Sequence, residues 1–317
     1  MAVATDRRGK GVGNMDNRIL VPLDGSSLAE QALPCAVSLA RGLPADLDLL
    51  RTVWIPPDIL DLIDESTVEL NAIATQLEAE ASDYLGGLVR QLEDAGLNTR
   101  HAVRRGPTAE SILDYAHRAK VSHIIMATHG YSGIRRWTHG SVAERVLQVA
   151  NVPLLLVRVS DKEVEKDWRQ PTSCRRILVP LDGSPLAEQI LPVAASMATA
   201  LRGELALFRV AMAQFSGGVR GEWHVPMHDL FEGAEEDALN YLDAVARRLA
   251  QEGLDVTTTM AVGPVANCIV DYAEANRIDF IAMCTHGRTG LARWALGSVA
   301  DRVLRAGSMP ILLVRVH

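Results

Sequence analysis

The chain has 317 residues, which is long enough for two domains of ordinary size, each with its own core. Hydrophobic residues make up 48% of the chain, as in globular proteins, and the formal net charge of −7 argues against a general binder of nucleic acid or anionic membranes. No apolar stretch reaches the roughly twenty residues that a membrane span needs, and the flexible tail that we predict at 1–17 lacks the apolar core of a signal peptide, so we expect a cytoplasmic protein.

Strands and helices are predicted to alternate from residue 18 onward. A short apolar run closed by Asp-Gly-Ser predicts a buried strand at 19–23, and either Ser26 or Ser27 can cap a helix that continues to Gly42. Further strands are predicted at 46–53, 99–104, 123–127 and 154–159. Between them the pattern predicts a long helix at about 69–95, a helix with Pro107 in its first position, and a helix from Ser141.

The second half of the chain repeats this course. RILVPLDGSSLAEQ at 18–31 recurs as RILVPLDGSPLAEQ at 176–189, and THGYSGIRRWTHGS at 128–141 recurs as THGRTGLARWALGS at 285–298. Strands are predicted here at 177–181, 204–210, 257–262, 280–283 and 311–316. The chain therefore divides into domain one at 18–159, a charged linker at 160–175 and domain two at 176–317.

Alternating strands and helices predict the α/β fold class, as two tandem doubly wound, Rossmann-like domains. Each domain is expected to hold a five-stranded parallel sheet flanked by helices. Ligands of such sheets bind beyond the carboxyl ends of the strands, at the point where the strand order reverses.

The first candidate motif is Asp24-Gly25-Ser26, which recurs as Asp182-Gly183-Ser184 directly after the first strand of each domain. Its carboxylate could accept hydrogen bonds from a ribose or an adenine amine. The same three residue types also form a turn and a helix cap without any ligand. Position alone leaves both interpretations open.

The second candidate motif is a Gly-rich loop between the fourth strand and the next helix. Glycine lets main-chain amides approach a phosphate, and a Gly-Ser pair opens a helix whose free amides favour an anion. The spacing fits neither a Walker A loop nor G-x-G-x-x-G, but two copies favour an anion site over a plain connector. Its residues are Gly130, Gly133, Gly140 and Ser141 in domain one and Gly287, Gly290, Gly297 and Ser298 in domain two.

Together, the LVPLDGS block and the T-H-G…G-S-V-A-[ED]-R-V-L block resemble the universal stress protein family over nearly the whole chain, twice. Family members that bind ATP carry G-x-x-G-x₉-G-[ST], whose second Gly and Gly-Ser are matched by Gly130 and Gly140-Ser141, and by Gly287 and Gly297-Ser298. The first Gly is replaced by Ala127 in domain one and by Cys284 in domain two, which adds a methyl group in one domain and a larger side chain in the other.

The resemblance implies further contacts with an adenine nucleotide. Asp24 and Asp182 match the acidic residue near the adenosine, and Val142 and Val299 match positions whose amides face phosphate. The main chain that faces adenine is matched by Thr52 or Val53 in domain one and by Val210 in domain two. The implied ligand is ATP, with or without Mg²⁺, and no metal ligand or catalytic residue is predicted.

The last strand of each domain is almost wholly apolar, as PLLLVRV and PILLVRV. An open apolar edge strand invites aggregation. We therefore predict that 154–159 and 311–316 pair antiparallel in an internal pseudo-dimer, an arrangement that the resemblance also implies. A homodimer of whole chains stays open.

The leading functional hypothesis is a stress-response protein that binds adenine nucleotide in one or both halves, as a regulatory or interaction module with little or no turnover. One alternative is a family member that has lost nucleotide binding and acts through protein–protein interaction, motivated by Ala127 and Cys284. The other is a slow ATP hydrolase, for which the sequence offers no catalytic base. Nucleic acid and membranes are not expected partners.

Overall fold

The computed structural model describes residues 17–55, 67–129, 141–159, 172–211, 227–285 and 296–316. The predicted tail, apart from Asn17, and most of the predicted linker lie outside these ranges.

The first half contains five strands and five helices in the described ranges. The strands are β1 (Arg18–Pro22), β2 (Asp46–Val53), β3 (Thr99–Arg105), β4 (His123–His129) and β5 (Leu154–Val159). The helices are α1 (Ser27–Glu30), α2 (Leu33–Gly42), α3 (Thr67–Asp94), α4 (Thr108–Arg118) and α5 (Ser141–Val149).

The second half follows the same order, with a 3₁₀ turn in place of the first short helix. Its strands are β6 (Arg176–Pro180), β7 (Glu204–Ala211), β8 (Asp255–Val262), β9 (Phe280–Cys284) and β10 (Ile311–Val314). The 3₁₀ turn is Ala187–Ile190, and the helices are α6 (Leu191–Leu201), α7 (Met227–Gln251), α8 (Val265–Ala275) and α9 (Ser298–Ala306).

All ten strands belong to one sheet, in the order β3-β2-β1-β4-β5-β10-β9-β6-β7-β8. Every pair within a half is parallel, whereas β5 and β10 pair antiparallel, with Leu155 opposite Leu312. This confirms the predicted fold class of two tandem doubly wound α/β domains. Strand order reverses between β1 and β4 in the first half, and between β6 and β9 in the second.

Both faces of the sheet are covered by helices, so the central strands are apolar on both sides. One face packs against α2 and α3 of the first half and α6 and α7 of the second. The other face packs against α4, α5, α8 and α9. Each core continues across the junction of the halves, and the two largest fully buried side chains are Phe208 and Phe280.

The predicted helix from Ser26 or Ser27 to Gly42 was wrong in one respect, because it is two helices. The first ends at Glu30 and the second begins at Leu33. Pro34 has no N–H to donate to the Glu30 carbonyl, so a continuous helix would lose a bond there. Pro107 was also misplaced by one residue, since it is the N-cap of α4 and the helix begins at Thr108.

None of the helices within the described ranges is both long enough and apolar enough to cross a membrane.

We predict that His123 makes the stability of the first half sensitive to acid. Burial lowers the pKa of this imidazole from 6.5 to about 4. Between these two pH values the unfolded chain takes up a proton that the folded chain does not, so stability falls as the pH falls from about 6.5 to 4, by at most about 3 kcal/mol.

His123→Phe tests this, because Phe280 occupies the same register position beside β6 that His123 occupies beside β1. The melting temperature of the variant should change less between pH 7 and pH 4.5 than that of the wild type does. Equal pH dependence in the two proteins would contradict the assignment.

Candidate functional site

The candidate site lies at the carboxyl edge of each five-stranded sheet, where β1 and β4, or β6 and β9, diverge into helices on opposite faces. Such a divergence leaves a crevice beyond the strand ends. The chain returns from this edge through α5 and α9, so the N-termini of these helices lie there as well. The fold thus brings the Asp-Gly-Ser turn and the Gly-Ser helix start of each half to one edge.

The Asp24 turn is built from its own hydrogen bonds. Asp24 Oδ1 accepts from the Ser26 amide at 2.8 Å and from Ser26 Oγ at 2.6 Å. Ser26 Oγ in turn accepts from the Ala29 amide at 3.1 Å, so Ser26, not Ser27, caps α1. Asp24 is exposed, and its Oδ2 has no hydrogen-bond partner within the described ranges. That oxygen is the one available to a ligand.

The Asp182 turn of the second half has the same geometry. Asp182 Oδ1 accepts from the Ser184 amide at 2.8 Å, and Ser184 Oγ accepts from the Ala187 amide at 3.1 Å. Ser184 is buried and precedes a 3₁₀ turn rather than an α-helix. In both turns the Asp carboxylate accepts from the same amide and the Ser hydroxyl caps the next segment, whereas that segment is an α-helix in one half and a 3₁₀ turn in the other.

At the end of the second strand, the structure favours Thr52 over Val53 as the main chain that faces the crevice. The Leu50 carbonyl accepts from the Leu23 amide on the β1 side, at 2.8 Å, whereas the Val53 carbonyl accepts from Gly106 on the β3 side, at 3.1 Å. Main-chain groups of a parallel strand alternate between its two neighbours. The Thr52 groups therefore face the β1 side, beyond the last paired residue of β1.

Val210 holds the matching place in the second half. The Phe208 carbonyl accepts from the Leu181 amide at 2.8 Å, so the main-chain groups of Val210, two residues further on, also face the side of the first strand.

The side chain of Cys284 packs into the interior beneath the 3₁₀ turn. Its Sγ lies 3.7 Å from the Ala187 carbonyl, and burial raises the pKa of the thiol to about 12. Ala127, the corresponding residue, is half-buried and pairs with Val157 across β4 and β5. The larger side chain thus fills space under the 3₁₀ turn that follows the Asp182 turn, and its presence coincides with the change from α-helix to 3₁₀ turn.

One amide of the predicted anion site already has a partner. The Gly297 N–H donates to the Thr285 carbonyl at 2.7 Å, so the expectation that it is free for a ligand was wrong. The helix itself begins at Ser298, which is exposed, followed by half-buried Val299. The first amides of a helix have no intrahelical acceptor, so Ser298 and Val299 keep the role that Gly297 loses.

In the first half, α5 begins at exposed Ser141, followed by half-buried Val142. The remaining predicted loop residues, Gly130, Gly133, Gly140, Gly287 and Gly290, lie outside the described residues.

Sequence reasoning missed an arginine beside each Asp-Gly-Ser turn. A Cβ at Gly25 would lie 3.1 Å from Nη1 of Arg51, and one at Gly183 would lie 3.1 Å from Nη2 of Arg209. The arginines stand at the same offset as the turns, 158 residues (from 51 to 209). This repeat was the available signal, but nothing local in the sequence links Arg51 to residue 25.

The described ranges contain no group of three or more His, Cys, Asp and Glu side chains that could hold a metal ion.

We predict that Ser26→Ala lowers the free energy of unfolding by about 1 kcal/mol, because it removes the cap of α1 and a bond to Asp24. Ser27→Ala is the matched control, since Ser27 is the exposed first residue of the helix and is not the cap. Urea unfolding of both variants measures the difference. A loss in Ser27→Ala equal to that in Ser26→Ala would show that the cap is assigned wrongly.

Comparison with known proteins finds similarity to one family in both halves of the chain. The sequence model of the Universal stress protein family matches residues 15–158 and 173–315. A universal stress protein of Methanocaldococcus jannaschii is 33% identical over 150 residues, which are 47% of this chain and 86% of the relative. One of Mycolicibacterium smegmatis is 24% identical over 307 residues, which are 94% of this chain and 96% of the relative.

Among solved structures, a universal stress protein from Archaeoglobus fulgidus superimposes with a TM-score of 0.71 at 19% identity, over 95% of this chain and 99% of that one. This likeness concerns the fold alone. Because the family model matches both halves, the chain belongs to the universal stress protein family, as a member with two tandem domains.

Proposed function

We propose that the protein binds an adenine nucleotide, ATP, at the carboxyl edge of the sheet, and acts in the stress response as a regulatory or interaction module with little or no turnover. The observation that carries the proposal is the convergence, at one reversal of strand order, of three groups: the Oδ2 atom of Asp24 and the main chain of Thr52, neither of which has a partner on this side among the described residues, and a helix N-terminus.

These groups complement the parts of a nucleotide. The Oδ2 atom of Asp24 suits the hydroxyl groups of a ribose, which are hydrogen-bond donors. The main-chain N–H and C=O of Thr52 suit the edge of an adenine, which both accepts and donates. The first amides of α5, at Ser141 and Val142, suit an anionic phosphate.

The two halves are proposed to bind unequally. In the second half the Gly297 amide is already bonded to Thr285, and Cys284 stands where Ala127 stands in the first. The bonded Gly297 amide cannot serve a ligand, and the Cys284 side chain is larger than that of Ala127. We therefore assign the tighter site to the first half.

Asp24→Asn tests the proposal, because asparagine keeps an oxygen for the Ser26 bonds but removes the charge. We expect ATP to raise the melting temperature of the wild type and to give heat in calorimetry, and Asp24→Asn to weaken binding about tenfold. Asp182→Asn should weaken it less.

Asp46→Asn is the control, since Asp46 opens β2 at the opposite edge of the same sheet. Titrations run with and without Mg²⁺ and are followed by an assay for ADP. No heat and no thermal shift with wild-type protein would refute nucleotide binding, and rapid ADP release would refute the lack of turnover.

The same observations at Gly297 and Cys284 favour a second candidate function, in which the second half binds no nucleotide and serves in protein–protein contacts. Under that hypothesis Asp182→Asn leaves ATP binding unchanged, calorimetry finds one ATP per chain, and Asp24→Asn alone weakens its binding.

We also propose that the antiparallel pairing of β5 and β10 makes the two halves an internal pseudo-dimer. The junction between the halves is as fully buried as the central strands of each half, since its leucines are at most 1% exposed: Leu154, Leu155, Leu312 and Leu313. Cys35, Cys174 and Cys284 are buried and form no disulfide bond among the described residues, which suits the reducing cytoplasm in which we place the protein.

A protease site introduced between residues 160 and 171 tests the pseudo-dimer. After cleavage the wild-type halves should still elute together in size-exclusion chromatography, because the apolar strand edges remain paired. Leu155→Asp should separate them, since an unpaired carboxylate would be buried between leucines. Wild-type halves that separate on cleavage would contradict the proposal.

A further inference from the structure

The guanidinium of Arg51 lies beside both the Asp24 turn and an aromatic ring. A Cβ at Gly25 would lie 3.1 Å from Nη1 and 3.2 Å from Cζ of Arg51. Cζ of Arg51 also lies 5.3 Å from the centre of the Tyr84 ring, within the range of a cation–π interaction. The Arg51 cation therefore links the turn to the ring.

The ring is tied to the helix that the turn starts. Tyr84, on α3, donates its hydroxyl proton to Glu30 Oε1 of α1 at 2.8 Å. Burial and the neighbouring Glu30 raise the pKa of Tyr84, so the hydroxyl remains a donor at neutral pH. Contacts thus run in a closed path from the turn through Arg51 and Tyr84 to Glu30, which lies five residues beyond Gly25 in the chain.

The second half contains the same closed path. A Cβ at Gly183 would lie 3.1 Å from Nη2 of Arg209, and Cζ of Arg209 is 4.7 Å from the centre of the Tyr241 ring. Tyr241 donates to Glu188 at 3.0 Å, and Arg248 also pairs with that carboxylate, at 2.8 Å. The path persists although its glutamate lies in an α-helix in one half and in a 3₁₀ turn in the other.

Glycine is required at the turn for two reasons. The φ angles of Gly25 and Gly183 are +92° and +83°, which side chains rarely adopt. A side chain there would also place its Cβ 3.1 Å from the guanidinium, which would have to shift. The turn conformation and the position of the arginine are therefore coupled, because a side chain at the turn would displace the arginine.

We propose that Arg51 and Arg209 are positioning residues, which hold the Asp-Gly-Ser turns so that Asp24 and Asp182 present their carboxylates to the ribose of the bound nucleotide. The proposal rests on the proposed nucleotide site. It predicts a role in ligand selection that an arginine serving only to pack α3 onto β2 would not have.

The test compares ATP with 2′,3′-dideoxy-ATP by calorimetry on the full chain. A carboxylate that accepts from ribose hydroxyls should favour ATP by roughly tenfold or more. The double variant Arg51→Met with Arg209→Met should lose most of that preference, with the affinity for the dideoxy analogue changed less than about threefold. A double variant that folds and keeps the full preference would overturn the proposal.

Arg104→Met is the matched control. Arg104 is also a strand-end arginine beside a ring, with its Cζ 5.4 Å from the centre of Tyr115, but its guanidinium donates to the Val103 carbonyl and is not among the atoms nearest to a Cβ at Gly25 or Gly183. This variant should keep the wild-type preference for ATP. An equal loss in the control would assign the effect to charge alone and overturn the proposal.

A second double variant alters the same contact at the glycines. Gly25→Ala with Gly183→Ala keeps both arginines but adds a Cβ 3.1 Å from each guanidinium, and should also reduce the preference for ATP over the dideoxy analogue. Gly96→Ala is the control, because Gly96 has a similar φ of +81° but a Cβ added there has no neighbouring atom within 4 Å. This variant should not reduce the preference for ATP. A preference untouched by the Gly25 and Gly183 changes would count against the coupling.

Amide hydrogen exchange separates this inference from the nucleotide proposal. The Ser26 and Ala29 amides bond to Asp24 and Ser26, and therefore report on the turn without a ligand. Their exchange should accelerate several-fold in the Arg51→Met, Arg209→Met variant but not in Arg104→Met. If the wild-type protein binds neither ATP nor the dideoxy analogue, the nucleotide proposal fails. If, in addition, amide exchange in the Arg51→Met, Arg209→Met variant equals that of the wild type, the positioning role fails as well.

Discussion

The rest of the site depends on one constraint, the position of β1 between β2 and β4 in a parallel sheet. The connections on its two sides cross opposite faces, since α2 and α3 cover one face and α4 and α5 the other. Within the described ranges, the main chain of β2 beyond Leu50 is consequently left without a strand partner on the β1 side. A turn rich in hydrogen bonds and a helix start meet at this gap, so the crevice follows from topology before any side chain is considered.

The sheet was predictable because its strands are buried on both faces, which gives short continuous apolar runs such as those of β1 and β5. Positions set by contacts across the sheet were not predictable. The orientation of the Gly297 amide depends on the Thr285 carbonyl, twelve residues away in the chain. The helix break before Leu33, by contrast, follows from Pro34, which the sequence does show. The placement of Arg51 depends on Gly25 and Tyr84, which are far apart in sequence.

Duplication makes each half a reference for the other. The hydrogen bonds of the Asp-Gly-Ser turn and the arginine stack beside it recur almost unchanged. The first helix, by contrast, is an α-helix in one half and a 3₁₀ turn in the other, above Ala127 and Cys284 respectively. Features that recur define a common scaffold at the crevice, and features that differ lie where the two halves could acquire separate ligands.

The antiparallel junction of β5 with β10 has a consequence for how the two halves can evolve. Because they are covalently joined, each half meets its partner at an effective concentration in the millimolar range, regardless of how much protein the cell makes. Because dilution cannot separate the halves, a substitution in one half always acts in the presence of the same second half. A tandem gene product can thus keep one half conservative while the other specialises, which a dimer of identical subunits encoded by one gene cannot do.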